Sequence, residues 1–99
     1  MARFHVYSLR HSDALVLDLQ SDLLDELTTR MVVPMLPPDE LSRVMRQLNP
    51  QFTLRGRPYV MTTQFAGAIS VAELDESIAN LTSESHRIIA ATDFLFQGF

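Results

Sequence analysis

The residues of this chain with chemistry to offer are three histidines, a run of four acids and a set of arginines. His5, His11 and His86 stand at no metal-ligand spacing, such as two histidines four apart on a helix, and read as strand and surface histidines. Asp18, Asp22, Asp25 and Glu26 have the right oxygens for a divalent cation. Their spacing follows no coordination loop, so they read as a solvated acidic stretch. Arg55, Arg57, His11, Ser12 and Thr62 supply the types with which a small barrel could cut RNA by general acid–base chemistry. Most chains of this length carry the same types, and no motif frames them here. Three glycines leave no phosphate-cradling loop, and no nucleophile elbow surrounds a serine. No catalytic residue, metal or cofactor is expected.

The chemistry left is that of docking. Leu23-Leu24 sits in a polar loop, and the chain closes on Asp93-Phe94-Leu95-Phe96-Gln97-Gly98-Phe99. A terminus usually frays and is polar. An aromatic set free by a glycine is instead what a protein–protein hot spot uses, because exposed apolar patches mark interfaces and aromatics dominate their energy.

Ninety-nine residues, 46% hydrophobic and 20% charged, suit one domain, 1–99, with a single core. The absence of cysteine removes disulfides and thiolate chemistry and fits a cytoplasmic protein. No apolar run approaches the roughly 20 residues that span a bilayer, and the start lacks a signal-peptide plan. The net charge is −4 and all eight cations are arginine, scattered along the chain. Phosphate-backbone binding needs clustered positive charge, so direct high-affinity binding of nucleic acid is not expected.

The elements that must position these residues are strands first and one helix last. Phe4 and Val6 alternate with Arg3, His5 and Tyr7; Leu15, Leu17 and Leu19 alternate with polar and branched residues after a polar turn at 10–13. TTRMVVPM at 28–35 reads as a strand ending near Pro34, and Pro37-Pro38 makes 36–40 a loop. Residues 39–48 read as loop with a turn of helix or an edge strand. FTLR and PYVMTT flank Gly56 as a hairpin, and AISVAEL at 68–74 gives a further strand. From Thr82 or Ser83 the period changes. Ile88, Ile89, Thr92, Leu95 and Phe96 mark one face of an amphipathic helix that Gly98 ends, with Leu95 and Phe96 seating it. The expected fold is mainly β with one C-terminal α-helix, a small barrel or sheet packed against it.

With FHVYS near the start, DLQSDLLD at 18–25, RMVVPML at 30–36, MTTQF at 61–65 and the closing FLFQGF, the chain resembles the CcdB family over nearly its full length. These are toxins of bacterial type II toxin–antitoxin modules. The resemblance implies an SH3-like barrel of the CcdB/MazF type with an antiparallel sheet and a C-terminal helix, assembled as a two-fold homodimer. It implies no enzyme: the dimer inserts between the A subunits of DNA gyrase and traps the enzyme with its DNA cleaved.

The gyrase-binding positions carried over are Leu23, Leu24, Asp93, Phe96, Gln97, Gly98 and Phe99. Leu23 and Leu24 keep an aliphatic pair, and Phe96 and Gly98 match directly. Asp93 stands where one family member has an Asn, Gln97 where it has a Trp that stacks on a gyrase arginine, and Phe99 where its last residue is aliphatic. The resemblance also implies a CcdA-like antitoxin whose disordered C-terminal tail folds onto the toxin, here over Leu9, Arg10, Arg43 and Arg46. Those arginines would suit an acidic tail. Two alternatives stay open: a degenerate homologue that binds antitoxin without poisoning gyrase, and a MazF-type endoribonuclease.

Overall fold

A computed structural model describes residues 2–99. Among the described residues, seven antiparallel strands precede a single α-helix. The strands are β1 (His5–Leu9), β2 (Ser12–Asp18), β3 (Thr29–Leu36), β4 (Gln51–Leu54), β5 (Arg57–Met61), β6 (Gly67–Ser70) and β7 (Leu74–Asn80); the helix α1 runs Ser85–Gln97. In the sheet they lie in the order β4-β5-β3-β2-β1-β7, and β6 pairs with β3. Strand β3 is the hinge of this arrangement. Its last residues face β5 (Met35 opposite Met61), while its first face β6 (Arg30 opposite Ile69). Splitting one strand between two partners curls the sheet into a half-barrel.

The inner face of that curve carries the main core. Val6, Leu17 and Val33 lie in register across β1, β2 and β3. They pack with Met35, Phe52, Leu54 and Met61 against Leu81, Ile88 and Ala91 of the C-terminal segment. A smaller cluster of Tyr7, Val16, Val32 and Leu74 fills the other face. Neighbouring residues such as Val6 and Tyr7 are therefore both buried, and the simple in–out alternation of a half-exposed strand breaks down.

The hairpin at Gly56 forms as expected, with Arg55 at φ 51° and Gly56 at φ 80°, the two positive dihedrals of a type I′ turn. Several readings need correction. Phe4 is not part of the first strand: it sits at φ 71°, its N–H donating to the Asp18 carbonyl (2.8 Å) and its carbonyl accepting from the Leu81 N–H (2.8 Å). Residues 68–74 are not one strand. β6 ends at Ser70, a 3₁₀ turn covers Val71–Glu73, and β7 then runs to Asn80. For residues 39–48 the reading as loop with a turn of helix holds and the edge strand does not: a 3₁₀ turn at Pro38–Glu40 leads into irregular chain, in which the Leu48 and Asn49 N–H groups donate to the Met45 carbonyl.

Candidate functional site

The helix ends as a glycine-capped helix should. Gly98 takes φ 79° and donates its N–H to the Phe94 carbonyl at 3.0 Å. Beyond it Phe99 is 83% exposed, and one turn back Phe96 is 80% exposed. Asp93 and Gln97 are exposed beside them. The face that seats the helix differs from the expected one. Ile88 and Ala91 are the buried residues, Thr92 and Phe94 are half-buried, and Ile89, Leu95 and Phe96 turn outward. Ile88 and Ala91 join the main core cluster, so the inward stripe runs to one side of the bulkier Ile89, Leu95 and Phe96. Phe96 therefore has no role in holding the fold, and the tip presents two bare rings.

The other apolar candidate lies in the loop between β2 and β3. Leu23 is 94% exposed, with Leu24 and Leu27 half-exposed nearby. Ser21 caps the short 3₁₀ turn Asp22–Leu24, its Oγ accepting from the Leu23 N–H at 3.2 Å. The acidic stretch is not simply solvated. Asp18 is fully buried and pairs with Arg30, which is itself only 1% exposed: Nη2 lies 2.7 Å and Nε 3.0 Å from Asp18 Oδ2. Arg30 Nη1 reaches Asp25 Oδ1 at 3.1 Å, and Asp22 lies 4.0 Å from Nη2. Burial pushes the Asp18 carboxyl above its ordinary range, against the Arg30 hydrogen bond, the Gln20 N–H and the Arg30 charge that pull it down. Three of the four acids thus converge on a guanidinium rather than on a cation site. Among the described residues no cluster of His, Asp or Glu is arranged to hold a metal.

One chain does not bring the two apolar candidates together. Leu23 shares a shallow hollow with Arg3, Phe4 and Thr82, at the start of the C-terminal helical segment. Phe96–Phe99 stand at the opposite end, about 20 Å along the axis at the helical rise of 1.5 Å per residue. The antitoxin candidates also divide. Leu9 and Arg10 lie at the β1–β2 turn, where Arg10 Nε donates to the Ala72 carbonyl (2.9 Å) and Nη1 meets Asp75 (3.4 Å). Arg46 lines a different, open groove of about 590 Å³ with Val44, Arg87 and Ala90. Arg43 is exposed on the same irregular segment as Arg46.

The five residues named for RNA cleavage do not come together in one site, although Arg55 and Arg57 share a cleft with Asp13 and Ser8. Thr62 is fully buried and its hydroxyl donates to the Pro34 carbonyl at 2.8 Å. Arg55 and Arg57 flank a cleft of about 320 Å³ with Asp13, Glu76 and Tyr59, whereas His11 and Ser12 line the hollow at the β1–β2 turn. Sequence reasoning missed Arg30 and Gln20 altogether. The available signal was the phase of β3, in which Arg30 falls on the same side as the buried Val32.

Fold and site define a class: a small barrel-like β protein with a C-terminal helix that ends in an apolar tip. The particular family follows from comparison of the sequence. The family model described as CcdB protein matches residues 3–98, nearly the whole chain, and the chain belongs to that family. It is accordingly a toxin-type protein of a toxin–antitoxin module. No helix among the described residues is long and apolar enough to cross a membrane.

Proposed function

We propose that this protein is the toxin of a type II module that, as a two-fold homodimer in the bacterial cytoplasm, binds between the A subunits of DNA gyrase and traps the DNA-cleaved complex. The observation that carries this reading is the tip itself. Phe96 and Phe99 are bare on a rigid, glycine-capped helix and contribute nothing visible to the fold. Wedging into an opened protein cavity requires a stiff projection and apolar anchors, and it needs no catalytic group. A homodimer is supported by apolar surface elsewhere: Phe65 is exposed on the turn that adjoins α1, and Ile89 and Leu95 are partly exposed on α1. A two-fold axis through such a surface would give the assembly two tips and two Leu23 loops.

The reading includes a cognate antitoxin whose disordered acidic tail meets Leu9 and Arg10 at one turn and Arg43 and Arg46 at another. Separate docking points suit a tail that wraps, since disordered segments cover extended surfaces at the cost of ordering entropy. Gln97 favours a second reading, that of a homologue which keeps its antitoxin and has lost the poison, because an amide lacks the π face that would stack on a guanidinium. Induced expression decides between them. Growth arrest with gyrase-linked DNA breaks and no specific RNA cleavage is expected. Normal growth with soluble protein present rejects the poison, and RNA cleavage abolished by Arg57→Ala would establish the endoribonuclease instead.

A further inference from the structure

The loop that carries Leu23 puts no apolar residue into the core. Residues 22–29 are all exposed, and the 3₁₀ turn Asp22–Leu24 contains no buried residue. Its order comes from polar groups rooted in the sheet. Arg30 holds Asp18 with two nitrogens, Asp25 with a third contact, and the Gln20 carbonyl through Nη2 at 3.2 Å. Asp18 in turn accepts from the Gln20 N–H at 2.9 Å. The Gln20 amide then bridges the loop: Nε2 donates to the Leu24 and Thr29 carbonyls, both at 3.1 Å, and Oε1 accepts from the Met31 N–H at 2.9 Å. From outside, the Arg3 N–H donates to Asp22 at 2.9 Å.

We infer that Arg30 is a positioning residue, which through Asp18, Asp25 and Gln20 fixes the loop so that Leu23 and Leu24 are presented to the target. This role rests on the gyrase-binding reading. Stability alone is a poor reason for a sealed ion pair, because well-packed apolar residues commonly serve as well or better. Specificity is the better reason here. The guanidinium has a rigid fork of donors, and it is spread between the sheet at Asp18 and two points of one loop, the Gln20 carbonyl and Asp25. An exposed leucine contributes to binding only when it is already held where the partner's pocket lies, since ordering it on contact subtracts from affinity.

The test pairs Arg30→Gln with Asp18→Asn. The neutral amides can still hydrogen-bond within the sheet, but the shorter side chain no longer reaches Asp25. Amide hydrogen exchange of the free protein should accelerate at least about tenfold at Gln20, Leu24, Leu27 and Met31 with β1 and β2 unchanged. Binding to purified gyrase A protein should weaken about tenfold. Leu23→Ala should cost about tenfold in the unaltered protein and less than about twofold in the paired background, the non-additivity that positioning requires. Unchanged exchange in the loop, or a Leu23→Ala effect that persists at full size, overturns the inference. Should the paired variant fail to fold, Asp25→Ala removes the Nη1 partner at an exposed position and is read the same way. If the unaltered protein does not bind gyrase A protein, the function reading falls. Exchange then decides by itself whether Arg30 orders the loop: acceleration confined to it supports that role, and no change overturns it.

Discussion

Phe96→Ala compared with Ile88→Ala separates what the C-terminal helix does for folding from what it does for binding. Phe96 is 80% exposed, so only about a fifth of its transfer free energy is realised in the fold. Full burial of a phenylalanine is worth about 1.5–3 kcal/mol, which leaves about 0.5 kcal/mol at stake. Alanine's better helix propensity offsets much of that. For a domain of this size about 1 kcal/mol moves Tm by roughly 4–8 °C, so Phe96→Ala should shift it by less than about 4 °C. Ile88 is 1% exposed and sits in the core with Leu81 and Ala91. Truncating it removes packed methyl groups and leaves a cavity, about 2–5 kcal/mol, and Tm should fall by more than about 10 °C. Binding should run the other way. A hot-spot aromatic costs about 2 kcal/mol or more, roughly thirtyfold in affinity, and Phe96→Ala should abolish toxicity with the fold intact. Thermal melts by circular dichroism alongside titration of gyrase A protein report both quantities. A Phe96→Ala protein that melts with Ile88→Ala would refute the reasoning, since the ring would then be buried in an assembly. So would one that binds as tightly as the parent.

Gln97→Trp should strengthen gyrase binding by about 1–2 kcal/mol, the value of an aromatic face on a guanidinium; growth inhibition that does not increase contradicts this. Arg55→Asn should raise Tm by a few degrees, because an arginine at φ 51° pays a left-handed penalty that asparagine largely escapes, and an unchanged or lower melt would show the turn is not strained. Asp18→Asn tests the buried pair. With the Asp18 pKa raised above the ordinary 3.8, the folded state binds more protons than the unfolded one in the window above that value. This contribution is complete below 3.8 and is lost as pH rises through the folded value. Denaturant titrations from neutral pH down to about 4 should therefore show the parent gaining stability relative to Asp18→Asn as pH falls; a constant difference contradicts it.

Local signals make much of this fold legible in the sequence. Leu15 and Leu17 are half-buried or buried on β2, the Arg55-Gly56 turn joins β4 to β5, and Gly98 stops the helix. The family landmarks supply the barrel-like fold with its C-terminal helix. What is not legible depends on contacts distant in sequence. β7, LDESIAN, offers one fully buried residue, Leu74, and no alternation, because it is an edge strand whose exposed carboxylates sit beside β1. The helix phase escapes a reading by hydrophobicity, since the small Ala91 faces the core while Ile89, Leu95 and Phe96 face outward. Arg30 reads in sequence as one more surface charge, and only the pairing of β2 with β3 and the fold of the 19–28 loop back over β3 give it Asp18 and Asp25 as partners.

The most direct test of the central claim is a DNA cleavage assay with purified gyrase, supercoiled plasmid and this protein. Linear DNA that carries covalently attached gyrase should accumulate with increasing protein, and Phe96→Ala should prevent it. Plasmid that remains uncleaved at saturating folded protein, under conditions where gyrase itself is active, would contradict the account.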